Sequence, residues 1–247
     1  MCWSGEASAV LATIGLGSTV YMAVKKEKKE LWIPLGYFTL MELLQAITYS
    51  YIDKCDDPVN QILTLLGYIH IAFQPFFINM VSMYFIPDRI REKISWFVYG
   101  ICFLGTVLMI IKMYPFDWAG LCECGVTPLC AENLCSVHGS WHIAWNVPIN
   151  AIGYLYFLGY TFPAFIVPII YGSWRMSLYH ALVGPCLAYL LTDNYNEWPA
   201  VWCLFSIALL LAVIKTPLRE ILHVTKLYFW NYPYSIQKTR RMKKYDV

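Results

Sequence analysis

The chain has 247 residues, of which 59% are apolar and 14% charged. A soluble domain has about 45–50% and about 25%, so an ordinary water-solvated globule is excluded. The formal charge of +2 is small and its basic residues sit in a few connections, which leaves no extended cationic face for nucleic acid.

The apolar residues come in blocks of about 20, the length that crosses a hydrocarbon core of about 30 Å. The pattern predicts an all-α protein whose residues 1–215 form one bundle of seven transmembrane helices. The expected spans are Gly5 to Val24, Leu31 to Ile52, Gln61 to Ile86, Ser95 to Met113, Trp141 to Trp174, Met176 to Thr192 and Trp198 to Ile214. The first begins almost at once, with no basic leader and no small-residue cleavage site, and reads as a span rather than a signal peptide. The connection after it carries Lys25, Lys26, Lys28 and Lys29, and the one after the third carries Arg89, Arg91 and Lys93. Arg175, Lys215, Arg219 and a basic tail lie on the same side, whereas the other side holds mostly Asp and Glu. Retention of Lys and Arg on the cytoplasmic face then puts the N-terminus outside and the C-terminus inside, and an odd number of spans satisfies every loop. Trp32, Trp96 and Trp174 fall at inner boundaries, and Trp3, Trp118, Trp141 and Trp198 at outer ones. Thr216-Pro217 reads as an N-cap and first helical residue, so residues 216–247 are expected to form a cytoplasmic interfacial helix with apolar Leu218, Ile221, Leu222, Leu227, Phe229 and Trp230, followed by the basic tail.

The one long connection, Tyr114 to Ser140, holds Cys122, Cys124, Cys130 and Cys135. With Cys2 and Cys55 they make six cysteines on the outer side, candidates for disulfides in an oxidising compartment with the pairing left open. A metal site of these thiolates with His138 is the alternative, poorly matched by the spacing.

An ionisable group near the bilayer centre costs roughly 2.5–3.5 kcal/mol on insertion scales, so each needs a partner, a cavity or a task. Glu42 and His70 both lie about 15 Å below the outer end of their spans at about 1.5 Å per residue. Gln45 and Tyr49 share the Glu42 face, and Gln74 follows His70 by one turn. His142, Asn146 and Asn150 recur every four residues and would form one polar stripe on a fifth helix, while Glu197 stands at the outer mouth of the seventh and His180 enters from the inner side. Interhelical hydrogen bonding accounts for the amides, whereas Glu42 with His70 suits an ion pair, a proton relay or a metal pair.

No Asn-Pro-x-x-Tyr follows in the seventh span, so the Asp88-Arg89-Ile90 string does not extend to a G-protein-coupled receptor pattern. Lys215 is too near the inner end for a retinal Schiff base. Seven-helix hydrolases of the ceramidase and adiponectin-receptor type are similar in kind in placing histidines and a carboxylate inside the bundle, but their paired histidines in the last helix are missing. The strings Gly36-Tyr37-Phe38-Thr39-Leu40-Met41-Glu42, Trp141-His142-Ile143-Ala144-Trp145 and Asn196-Glu197-Trp198-Pro199-Ala200-Val201-Trp202 resemble an uncharacterised family of multi-pass membrane proteins, a resemblance that implies no particular activity.

The sequence thus predicts an outward-opening polar pocket for a small ligand or metal ion, with Glu42, His70, Gln74, His142, Asn146, Asn150 and Glu197 as ligand residues. The alternative is an intramembrane metal-dependent hydrolase or oxidoreductase acting on a lipid-like substrate, with zinc, iron or copper held by Glu42, His70, His142 and His180. A proton-coupled transporter ranks third, since no internal repeat is present.

Overall fold

The computed structural model describes residues 3–224. Helix makes up 68% of it, which places the protein in the all-α class. Ser4 caps α1 (Gly5–Val24), its hydroxyl accepting from the Ala7 N–H at 3.3 Å. A turn through Lys26, with φ of +54°, leads into α2 (Lys29–Thr48). Asp57 caps α3 (Pro58–Tyr84), with proline at its first position, where the missing N–H costs nothing. Pro87 precedes α4 (Asp88–Lys112).

The chain then leaves helical structure for some forty residues. They fold into a cap with one antiparallel hairpin, β1 (Cys135–His138) and β2 (Ile143–Asn146), in which Cys135 pairs with Asn146 and His138 with Ile143. Helix resumes as α5 (Gly153–Ile170), whose middle, Phe157–Ile166, is π-helical around Pro163. A proline cannot donate to the helical ladder, and the wider turn accommodates its ring. The next helix, α6 (174–191), contains a second π segment, Leu182–Cys186, around Gly184-Pro185. The last long helix is α7 (Trp198–Lys215), followed by the short α8 (Leu218–Leu222).

Each helix packs against its successor, and α7 returns to α2 and α6. Six of the helices, α1 to α5 and α7, are long and apolar enough to cross a membrane. The core runs through Leu35, Met41, Tyr68, Ile71, Tyr160, Ile207 and Leu210. On the basic-loop side Arg91 meets Glu30 at 3.4 Å, Arg219 meets Glu27 at 3.5 Å, and the Val224 N–H donates to the Phe85 carbonyl at 3.0 Å.

The fifth expected span needs correction. Trp141 to Asn150 is not helical: it forms β2 and its flanks, and helix begins only at Gly153. Ile143, Ala144 and Trp145 are buried in succession, so the strand shows no alternation and resembles a helical apolar run in sequence. His142, Asn146 and Asn150 therefore share no helical face. Of the expected interfacial segment the structure describes α8 alone; Leu227, Phe229, Trp230 and the basic tail lie outside the described residues.

Candidate functional site

The cap is fastened to the adjoining helix ends by buried polar groups. Glu197, at the N-terminus of α7, is fully buried and accepts four hydrogen bonds: from the Ser140 N–H (2.7 Å) and hydroxyl (3.0 Å) on one oxygen, and from the Trp141 and His142 N–H groups (2.8 and 2.9 Å) on the other. Gly139 lies so close that a Cβ there would collide with the Glu197 carboxylate. Asn60 on α3 donates to the Tyr51 and Ser136 carbonyls and accepts from the Ser136 N–H. Asp53, at a positive φ of +64°, accepts from the His138 N–H and pairs with its ring. Burial acts to raise the Asp53 carboxyl, but these hydrogen bonds and the His138 charge outweigh it and hold the group below its usual range. Asn150 donates to the Ile111 and Tyr114 carbonyls, and the buried Lys112 ammonium donates to the Asn150 and Ile152 carbonyls, closing the end of α4. Asn146 accepts from Asn196 at 2.9 Å.

Disulfides join Cys55 to Cys135 and Cys122 to Cys130. Cys124 is free and exposed, and Cys2 lies outside the described residues. Thus four of the six candidate cysteines form bridges, one of which ties the α2–α3 connection to β1.

Beneath this cap, between α1, α2 and the hairpin, lies a polar cluster in which several atoms have no partner. Both Glu42 oxygens, both polar atoms of Gln45 and His142 Nε2 are buried without a hydrogen bond. Glu42 and Gln45 are fully buried and stand one turn apart on α2, with Tyr49 a turn beyond. The Tyr49 hydroxyl lies 3.3 Å from His142 Nδ1, which also accepts from the Ile143 N–H at 2.7 Å. A nitrogen that accepts a backbone N–H carries no proton, so the imidazole proton resides on the unpartnered Nε2. Burial pushes the His142 imidazole down to about 3, and the ring is neutral near pH 7. Trp3 stacks on His142 with ring centroids 5.9 Å apart and donates to the Ser8 hydroxyl at 2.8 Å. Ser8 in turn is within interaction range of Glu42, without forming a well-aligned hydrogen bond to it. An open groove lined by Ser4, Gly5, Glu6 and Ala9 at the start of α1 and by Ala46, Tyr49 and Ser50 around the end of α2 reaches Tyr49 from the cap side.

The other expected site residues go elsewhere. His70 donates from Nε2 to the Tyr37 carbonyl at 2.9 Å, accepts the Tyr37 hydroxyl on its own carbonyl, and stacks on the Tyr37 ring at 3.9 Å. It forms no ion pair with Glu42: the two share a depth but not a face, since Tyr37 is directed at α3 while Glu42 is near Ser8 of α1 and Cys203 of α7. Gln74 accepts from Tyr160 at 2.5 Å and donates to Cys203 Sγ at 3.0 Å, so its amide is occupied. His180 accepts from Trp202 Nε1 at 2.9 Å and stacks on Phe165. Among the described residues no three His, Cys, Asp or Glu side chains converge on a point that could hold a metal ion. The expected set of Glu42, His70, His142 and His180 is divided among three separate environments.

Ser8 and Trp3 are members of the cluster that the sequence did not mark. Ser8 is one of several small residues in α1, and Trp3 resembles an interfacial anchor. A buried serine one span away from a buried glutamate was the available signal.

A model of the Family of unknown function (DUF5765) matches residues 6–223, nearly the whole described chain, and the protein belongs to that family. No curated protein and no solved structure matches it.

Proposed function

We propose that this member of the family is a seven-span membrane protein with an outward-opening polar pocket that binds a small ligand through Glu42, Gln45 and His142. The observation that carries the reading is the group of five unpartnered buried atoms on three side chains. A buried polar group left unsatisfied costs about 1–3 kcal/mol, more when charged, so a molecule that completes these bonds is held by the deficit it removes. Glu42 offers acceptors, His142 Nε2 a donor and Gln45 one of each. The complementary ligand carries an ammonium or several N–H or O–H donors at one end and an acceptor at the other. Tyr49, which both lines the groove and touches His142, stands at the entrance.

The seventh span is α6. The turn before it, at Ser173, hydrogen-bonds the Ser82 carbonyl near the basic-loop end of α3, and Arg175 reaches the carbonyls of Ile221 and His223. Glu197, after it, is bound to the cap. Its 18 residues extend about 27 Å at 1.5 Å each, enough to connect the two faces, and Arg175 and His180 account for its lower hydropathy.

The test is a thermal-shift titration of the detergent-purified full chain with small primary amines, ethanolamine among them. Saturable stabilisation that weakens at least about tenfold in Glu42→Gln, or roughly 1.4 kcal/mol, supports the pocket. The reading fails if no amine stabilises the parent, or if the variant responds equally.

A further inference from the structure

A second groove lies on the opposite half of the bundle, between α1 and α7, lined by Ile14, Gly17 and Tyr21 on one side and Leu211, Ile214 and Lys215 on the other. Its walls are mainly apolar; the Thr13 hydroxyl is turned back onto the Ala9 carbonyl at 2.8 Å, and Ser18 also contributes to the lining. A Cβ added at Gly17 would meet nothing within 4 Å, so the floor of the groove is open there. From Thr13 to Lys25 the helix rises about 18 Å, close to the depth of one leaflet, about 15 Å.

The groove ends at the basic-loop face in two cations on one ring. Lys215 Nζ lies 5.0 Å and Lys25 Nζ 5.8 Å from the Tyr21 centroid. Among the described residues neither ammonium has a carboxylate partner, and the acids nearby are engaged elsewhere, Glu27 with Arg219 and Glu30 with Arg91. Two like charges on one ring repel each other, and an anion between them removes that repulsion. The protein places a mainly apolar slot of about one leaflet's depth next to a pair of lysines with no carboxylate partner among the described residues.

We propose that this groove binds a single anionic phospholipid of the leaflet on the basic-loop side, one acyl chain lying along Gly17 and Leu211 and the headgroup phosphate between Lys25 and Lys215. The site is independent of the outer pocket and rests only on the placement of α1 and α7 across the bilayer.

Native mass spectrometry of the detergent-solubilised full chain tests this with phosphatidylserine and phosphatidylcholine of identical acyl chains. The parent retains phosphatidylserine in preference, by about fivefold for each lysine engaged. Lys25→Gln with Lys215→Gln brings the ratio close to one, and Gly17→Leu, whose side chain starts in the open floor of the groove, lowers retention of both lipids. Equal retention by the parent overturns the proposal, as does a preference unchanged in the lysine variant. Displacement by glycerophosphoserine as effective as by the intact lipid overturns it too, because the site would then bind a soluble anion. The two lysines are exposed, so their variants report on the headgroup even where Gly17→Leu disturbs α1.

Discussion

Glu197 and Glu42 are both fully buried carboxylates, and their surroundings make them opposites. Four donors converge on Glu197, three of them backbone N–H groups that no alternative partner could satisfy. Glu197→Gln directs an amide NH2 at two of those donors and leaves them unpaired, a loss of about 1–3 kcal/mol for each buried group stranded. The expected outcome is a lower melting temperature with the helical circular dichroism retained below it, and faster proteolysis of the 135–150 segment. Unchanged melting would show that the cap does not depend on this carboxylate. Glu42 has no comparable set of donors, and its substitution bears on ligand response instead. The sequence placed Glu42 deep in an apolar span and Glu197 at the mouth of the last one. It could not reveal which was satisfied, because the donors to Glu197 are main-chain groups of a turn some fifty-five residues earlier. The placement of His70 is a matter of the same kind: depth follows from counting along a helix, whereas facing direction depends on which neighbour packs where.

Among the elements, the helices were legible because hydropathy and length are local properties, and α1 to α4 and α7 begin and end within a few residues of expectation except for the early, charged first turns of α4. The hairpin was not, because a strand buried on both sides carries an unbroken apolar run. A close backbone approach between two helices is also visible only in three dimensions. At Gly105 on α4 an added Cβ would stand 2.6 Å from the Gly159 carbonyl of the π-helical part of α5. Backbone cannot turn aside as a side chain can, so Gly105→Ala forces α4 and α5 apart at about 1–3 kcal/mol, typical of overpacking. Gly17→Ala has open space and gains helix propensity, up to about 1 kcal/mol. Thermal melts of the two variants in one detergent should therefore move in opposite directions. A Gly105→Ala protein as stable as the parent would show that the two helices can separate freely.

For the whole molecule, the arrangement of charge and cysteine makes a joint statement about sidedness. The two disulfides and free Cys124 lie in the cap, and the Glu27–Arg219 and Glu30–Arg91 pairs lie at the other end. In the proposed orientation, with the cap outside, a membrane-impermeant maleimide applied to intact cells labels the parent at Cys124, whereas a variant combining Cys2→Ser, Cys124→Ser and Lys28→Cys reacts only after permeabilisation. Labelling of that combined variant in intact cells would invert the topology. The helix that would separate the proposed pocket from lipid is α1, and its apolar window is 22% buried, against 50% for α2 and α3. It is the least buried of the six long apolar helices, tied at its cap end by the Trp3 N–H, which donates to the Trp141 carbonyl at 3.1 Å, and elsewhere packed chiefly on α2. Under the proposed function a ligand reaches Glu42 past α1, and bilayer mechanics would then set its rate: lateral pressure that presses α1 inward slows exchange, and a thin or fluid membrane quickens it.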